Sequence, residues 1–275
     1  MSQSNPTQVI GIASGKGGVG KTTVSANLAV ALAAVGKKVM VFDADLGLAN
    51  AQLALGCRTE YNFSHVLSGE KTVQEIIVEG PQGVKLIPGS SGIQHMASLS
   101  ASEAAGIVQS FSDISEDLDY LIVDLAAGLS DSVMTFLSAC QYRFIVVKDD
   151  PSSIADAYAT IKVMIQDLQL NDIFIIPNCM DSHGAGERLF LGINSVIKTF
   201  LGASVSNLGT IRSDEMVLRA IKSSKPLLSF APSSAATRDF TALAKTVTEL
   251  PYDTTMSGGL QFFFERLALQ KTANN

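Results

Sequence analysis

Near the start of the chain, Gly15-Lys16-Gly17-Gly18-Val19-Gly20-Lys21-Thr22-Thr23 satisfies the pattern G-x-x-x-x-G-K-[ST], and no other stretch restricts the fold as sharply. The pattern needs a strand before it and a helix after it. Val9-Ile10-Gly11-Ile12-Ala13 supplies an apolar run of strand length, and Val24-Ser25-Ala26-Asn27-Leu28-Ala29-Val30-Ala31-Leu32 reads as a helix. Gly15, Gly17, Gly18 and Gly20 allow successive backbone N–H groups, with that of Val19 among them, to turn toward a polyphosphate. The helix N-terminus behind the loop adds partial positive charge. Lys21 is expected to reach the β- and γ-phosphates of the nucleotide as a point charge. The Thr22 hydroxyl is expected to enter the shell of a Mg²⁺ ion that keeps several waters, with Thr23 on the α-phosphate side. Lys16 sits too early in the loop to share the work of Lys21. It is free to meet phosphate charge from another direction, the arrangement in which a lysine crosses a dimer interface to the partner's nucleotide.

The rest of the chain repeats the strand and helix alternation. Apolar runs occur at Val39–Phe42, Val84–Ile87, Tyr120–Val123, Phe144–Val147, Ile173–Ile176 and Leu208–Ile211, with helical patterns between them. Such alternation predicts an α/β fold, here a single-domain P-loop NTPase with a mostly parallel twisted sheet and helices on both faces. At 275 residues and 47% hydrophobic content, with no extended linker or internal repeat, the chain can bury one large core. The ATPase domain is placed at residues 1–256 and an amphipathic tail at 257–275. The first helix is expected to stop at Gly36, and another to start at Ser100, which has capping-box spacing to Glu103.

In such sheets, ligands bind beyond the carboxyl ends of the strands. Val39–Phe42 runs into Asp43-Ala44-Asp45. Asp45, just past the strand, can hold an attacking water in line with the γ-phosphate, and Asp43, closer to the sheet, suits the Mg²⁺ shell. Leu121-Ile122-Val123 runs into Asp124, the second carboxylate of a P-loop enzyme, which accepts from a metal-bound water. After it, Ala126-Ala127-Gly128 is small enough to follow a γ-phosphate and change shape when it leaves. Asn178 ends another apolar run, where its amide can pair with the adenine edge or simply turn the chain.

The formal charge of −6 and pI near 5.1 disfavour direct nucleic-acid binding as the main task. Cys57, Cys140 and Cys179 lack paired spacing and read as reduced core or near-core thiols of a cytosolic protein. No basic and apolar leader opens the chain, and no run has bilayer-spanning length. Leu260, Phe263, Phe264 and Leu267 fall on one helical face, widened by Phe262 and Leu269. That face can pack on the domain or lie in a membrane interface.

Together these residues resemble the MinD/ParA class of deviant P-loop ATPases, with Lys16 as the signature lysine, and within it the FlhG/FleN family. The likeness covers nearly the whole chain: Lys16–Thr22, Asp43-Ala44-Asp45-Leu46-Gly47-Leu48-Ala49-Asn50, Phe111-Ser112-Asp113-Ile114, Val123-Asp124 with Ala126-Ala127-Gly128, Asp156-Ala157-Tyr158 and the tail. It implies slow Mg²⁺-dependent ATP hydrolysis to ADP and phosphate with Lys16, Lys21 and Asp45 as catalytic residues. It also implies an ATP-dependent homodimer and control of flagellar number and placement. The implied partners are a flagellar transcription activator or an FlhF-type GTPase, and the inner face of the cytoplasmic membrane, reached from the cytoplasm through the tail. Asp214 is the nucleotide-binding residue implied for the adenine-proximal loop. Leu125 departs from the pattern where a small polar residue is common. Lys148-Asp149-Asp150 puts charge at a more neutral strand end, and Arg212 replaces a frequent Pro. The short lead-in Met1–Thr7 lacks the segment that some members use to stimulate the GTPase, and fits the branch that restrains the transcription activator. The same fold also serves division and DNA-segregation ATPases, metabolic ligases and iron-protein-like reductases; the last require paired cysteines that this chain lacks.

Overall fold

The computed structural model describes residues 7–45, 50–89 and 118–251. In chain order the strands are β1 (Gln8–Ser14), β2 (Val39–Ala44), β3 (Val78–Glu79), β4 (Lys85–Ile87), β5 (Tyr120–Ala127), β6 (Tyr142–Val147), β7 (Ile173–Met180), β8 (Ser206–Asn207) and β9 (Ile211–Arg212). The α-helices are α1 (Lys21–Ala34), α2 (Ala51–Leu55), α3 (Phe63–Leu67), α4 (Val73–Ile76), α5 (Asp131–Ala139), α6 (Pro151–Gln166), α7 (His183–Leu201), α8 (Glu215–Lys222), α9 (Leu227–Phe230) and α10 (Ala235–Thr248). The sheet order is β3-β4-β2-β5-β1-β6-β7-β8, with β9 beside β7. Among the described residues only the β3–β4 pair is antiparallel. This is the expected α/β architecture, with a short antiparallel edge strand that the hydrophobic pattern did not announce.

Alternate residues of the central strands feed two separate cores. Val9, Met40, Phe42, Leu121, Val123, Ile145 and Val147 face the side covered by α5, α6 and α7, whereas Ile10, Ile12, Val41, Ile122, Phe144 and Val146 pack with α1 and α10. Helix α1 is buried at every position from Val24 to Leu32. Its small residues Ser25, Ala26, Ala29 and Ala31 let it lie between the sheet and α10. The buried Asn27 is satisfied: its amide nitrogen donates to the Thr23 carbonyl at 2.8 Å and its oxygen accepts from the Leu227 N–H at 2.7 Å. As expected, the chain leaves this helix through Gly36, whose φ of 85° suits glycine.

Three expectations need correction. Leu208–Ile211 is not one strand, because Gly209, at φ 148°, separates the two-residue strands β8 and β9. β5 does not end at Asp124 but carries on to Ala127, which places Leu125 in the core with no exposed surface. Of the cysteines, Cys140 is buried and Cys57 half-buried, but Cys179 is exposed, at a φ of 58° that turns its side chain out of the strand pattern. The helix start at Ser100 and the tail residues Leu260, Phe263, Phe264 and Leu267 lie outside the described residues.

Candidate nucleotide site

β1 lies between β5 and β6, and β5 between β1 and β2, so the carboxyl ends of β1, β2 and β5 emerge side by side. Asp124 is in register with both Ile12 and Asp43. The glycine-rich loop is therefore delivered over two buried carboxylates.

Close approach explains two of its glycines. A Cβ on Gly15 would stand 2.3 Å from the backbone of Asp156 in α6, and one on Gly20 would stand 2.5 Å from the Asn178 amide nitrogen. Gly20 also takes a φ of 93° at the start of α1.

Below the loop, the Lys21 ammonium donates to Asp124 Oδ1 at 3.1 Å, and the Ser25 hydroxyl donates to the same oxygen at 2.8 Å. Both charged side chains are almost wholly buried. Asp124 Oδ2 is also buried and has no hydrogen-bond partner, a costly state for a carboxylate oxygen. Asp43 has no exposed surface. Its Oδ1 accepts from the Asp45 N–H at 3.2 Å and its Oδ2 from the Ala51 N–H at 2.9 Å. Burial, and then the neighbouring Asp124 carboxylate, push the Asp43 carboxyl from 3.8 up to about 7, while the Ala51 and Asp45 N–H groups and Lys21 pull it down.

These residues fit a Mg²⁺ ion that arrives with phosphate oxygens. The unpartnered Asp124 Oδ2 can accept from a metal-bound water, Asp43 lies beside it, and the Thr22 hydroxyl stands at the first turn of α1. No cluster of three or more His, Cys, Asp or Glu able to hold a metal by itself occurs among the described residues. A hard cation held by one or two carboxylates plus phosphates requires no such cluster.

Lys16 points elsewhere. Its side chain is 45% exposed and its ammonium lies 2.5 Å from Ser152 Oγ and 3.6 Å from Asp150 Oδ1. Asp150 caps α6 through the Ser153 N–H at 2.9 Å. The Ser152 hydroxyl and then the Ser153 N–H hold its carboxyl below the usual carboxylate range. Asp45 follows β2 directly and is half-buried. Asn178 donates its amide hydrogen to the Val19 carbonyl at 2.7 Å, which ties β7 to the loop. Asp214 accepts from the Met216 and Ala236 N–H groups at 2.9 and 3.0 Å, so its two oxygens cap α8 and join it to α10. Arg212, in place of the common proline, forms a forked ion pair with Asp239, whose Oδ1 also meets His183 at 2.8 Å.

Sequence reasoning brought Lys21, Asp43, Asp45 and Asp124 to one place but overlooked Ser25. It lies four residues after Lys21, on the same face of α1, and that spacing was the available signal.

A ParA family model, described as NUBPL iron-transfer P-loop NTPase, matches residues 5–248. The chain belongs to the ParA family. Antiactivator FleN of Pseudomonas aeruginosa is 42% identical over 267 residues, covering 97% of this chain and 95% of that protein. Flagellum site-determining protein YlxH of Helicobacter pylori is 36% identical over 270 residues, covering 95% of this chain and 90% of that protein. The septum site-determining protein MinD of Pyrococcus horikoshii, solved as a complex with Mg-ADP, matches with a TM-score of 0.70 at 25% identity, covering 88% and 96% of the two chains. Within the ParA family this chain is an ATP-hydrolysing member of the FlhG/FleN branch, concerned with flagella. Magnesium accompanies the nucleotide in that MinD relative. No helix among the described residues is long and apolar enough to cross a membrane.

Proposed function

We propose that this ParA-family ATPase is a nucleotide-driven dimer switch that limits the number and sets the placement of flagella by restraining a flagellar transcription activator. The observation that carries the reading is the divergence of the two loop lysines: Lys21 is buried on Asp124, whereas Lys16 lies exposed on the rim, tethered to a helix-cap carboxylate and a serine. An exposed ammonium there suits the phosphate charge of a second copy.

Nucleotide binding exchanges the Asp124 carboxylate for phosphate oxygens as the partner of Lys21. The N–H groups of the loop and of the first turn of α1 hold the phosphates. Asp45 orients a water for attack on the γ-phosphorus; the new O–P bond forms as the bond to the β,γ-bridging oxygen breaks, ADP leaves with that oxygen, and the water's proton passes to the phosphate released. The two lysines neutralise the charge that spreads over the transferred group. Thr22, with Asp124 and Asp43 accepting from metal-bound waters, would hold a Mg²⁺ ion, which would supply further charge stabilisation and substrate alignment. Asn178 supports the loop from behind while its amide oxygen is available toward adenine, and Asp214 shapes the neighbouring loop through α8.

The amphipathic spacing of Leu260, Phe263, Phe264 and Leu267 supports a tail that meets the cytoplasmic face of the membrane in the ATP-bound dimer. Partner choice follows from the likeness to FleN, whose name is antiactivator. The test is a count of flagella per cell after deletion of the gene and complementation with the parent, Lys16→Ala or Asp45→Ala chain. An excess of flagella that only the parent corrects is expected. An unchanged count accompanied by elongated or anucleate cells would overturn the reading in favour of division or DNA segregation.

A further inference from the structure

The charged strand end Lys148-Asp149-Asp150 has so far contributed only a tether for Lys16. Lys148 follows the last residue of β6, and β6 is the neighbour of β1, with Ala13 opposite Ile145. This places Lys148 beside the loop that β1 delivers. Its ammonium donates to the Gly18 carbonyl oxygen at 3.0 Å. Its own N–H donates to Ser153 Oγ at 3.1 Å, so the start of the side chain is fixed by the α6 cap.

Gly18 has a φ of 78°, and nothing lies within 4 Å of the position where a side chain would begin. Packing on that side does not hold its peptide. The next carbonyl, that of Val19, is held by Asn178 at 2.7 Å. Two consecutive carbonyls of the loop are thus gripped from outside, by Lys148 just past β6 and by Asn178 among the last residues of β7. In a trans peptide the C=O and the following N–H point in opposite directions. Fixing the Gly18 carbonyl outward therefore fixes the Val19 N–H inward, toward the phosphates.

We propose that Lys148 is a positioning residue for nucleotide binding, acting through the Gly18–Val19 peptide. The bond is charge-assisted, stronger than a neutral one, and it polarises the same amide that donates to phosphate. Lys148 rests on the nucleotide-binding role of the loop but is distinct from Lys21 and Lys16, which act on phosphate directly.

The two modes of action separate experimentally. A residue acting through the loop affects every nucleotide the loop cradles, whereas one touching the γ-phosphate affects only ATP. Lys148→Met, Lys148→Gln and Lys148→Arg are compared by calorimetric titration with ADP and with a non-hydrolysable ATP analogue, both with Mg²⁺, and by steady-state hydrolysis. Lys148→Met is expected to raise both dissociation constants by the same factor, roughly tenfold for one charge-assisted hydrogen bond. KM rises with them while kcat changes less than about twofold, because binding is weakened uniformly in ground and transition states. Lys148→Gln lies between Met and the parent, and Lys148→Arg restores affinity to within about threefold of the parent. Unchanged affinity in Lys148→Met would overturn the proposal. So would a loss confined to the ATP analogue, or lower thermal stability without nucleotide that tracks the lost affinity and is not restored by Arg.

Discussion

Asp43 gives the site a pH dependence whose sign and size follow from its surroundings. Its folded value of about 7 against 3.8 for the free group means that the folded chain prefers the protonated carboxyl. The stability it contributes is fully present below 3.8 and is lost as pH rises through 7. Between pH 5 and pH 8 the loss amounts to roughly 2 to 3 kcal/mol, since a protonation difference of one costs about 1.4 kcal/mol per pH unit over the steep part. Asp43→Asn keeps the shape of the side chain but removes this titration. Its absolute stability falls, since an amide offers only one acceptor to the Ala51 and Asp45 N–H groups. The informative quantity is therefore the difference in slope. Urea unfolding in buffer free of metal and nucleotide, at intervals from pH 5 to pH 8, is expected to show the parent losing about 2 to 3 kcal/mol more than Asp43→Asn. With Mg²⁺ and ADP added the gap is expected to shrink, because a cation beside the Asp43 carboxyl favours its ionised form. Parallel stability curves for parent and variant without Mg²⁺ would refute this account of the pair.

Asp45→Ala is expected to keep ATP affinity within about threefold while hydrolysis falls by more than a hundredfold, as for loss of a residue that acts only in the transition state; parallel loss of binding and turnover would count against a water-positioning role. Removing the shared partner of Arg212 and His183 with Asp239→Ala is expected to lower the urea midpoint, because the buried carboxylate that accepts from the Arg212 guanidinium and N–H and from His183 is lost. The double variant Phe263→Glu/Phe264→Glu is expected to bind nucleotide but fail to sediment with liposomes in Mg-ATP, where the parent does; equal binding of the parent with ADP and ATP would reject the coupling.

Most of the site was legible because its chemistry is local. The loop from Gly15 to Thr23 carries its roles in consecutive positions, and strand-end carboxylates such as Asp43 and Asp124 are recognisable once the sheet is parallel. What remained hidden depends on contacts between segments far apart in sequence. Asn178 could be assigned to adenine from its strand end, but its bond to the Val19 carbonyl requires β7 to lie beside the loop. Asp214 could be read as a ligand, yet its hydrogen bonds to Met216 and Ala236 come from the way α8 and α10 meet. Leu125 departs from the small polar residue of similar chains, and its setting becomes legible only from the longer β5, which carries it into the core. Leu208–Ile211 failed as a strand because Gly209 breaks the register between β8 and β9.

The central claim is that Lys16 acts across a dimer formed only with ATP. Sedimentation equilibrium of Asp45→Ala, in which hydrolysis no longer depletes ATP, tests it with Mg-ATP, with Mg-ADP and with Lys16→Ala added. The account predicts a dimer with ATP, a monomer with ADP, and a monomer with ATP once Lys16 is replaced while ATP affinity is retained. A dimer with ATP that survives Lys16→Ala, or one that forms equally with ADP, would contradict it.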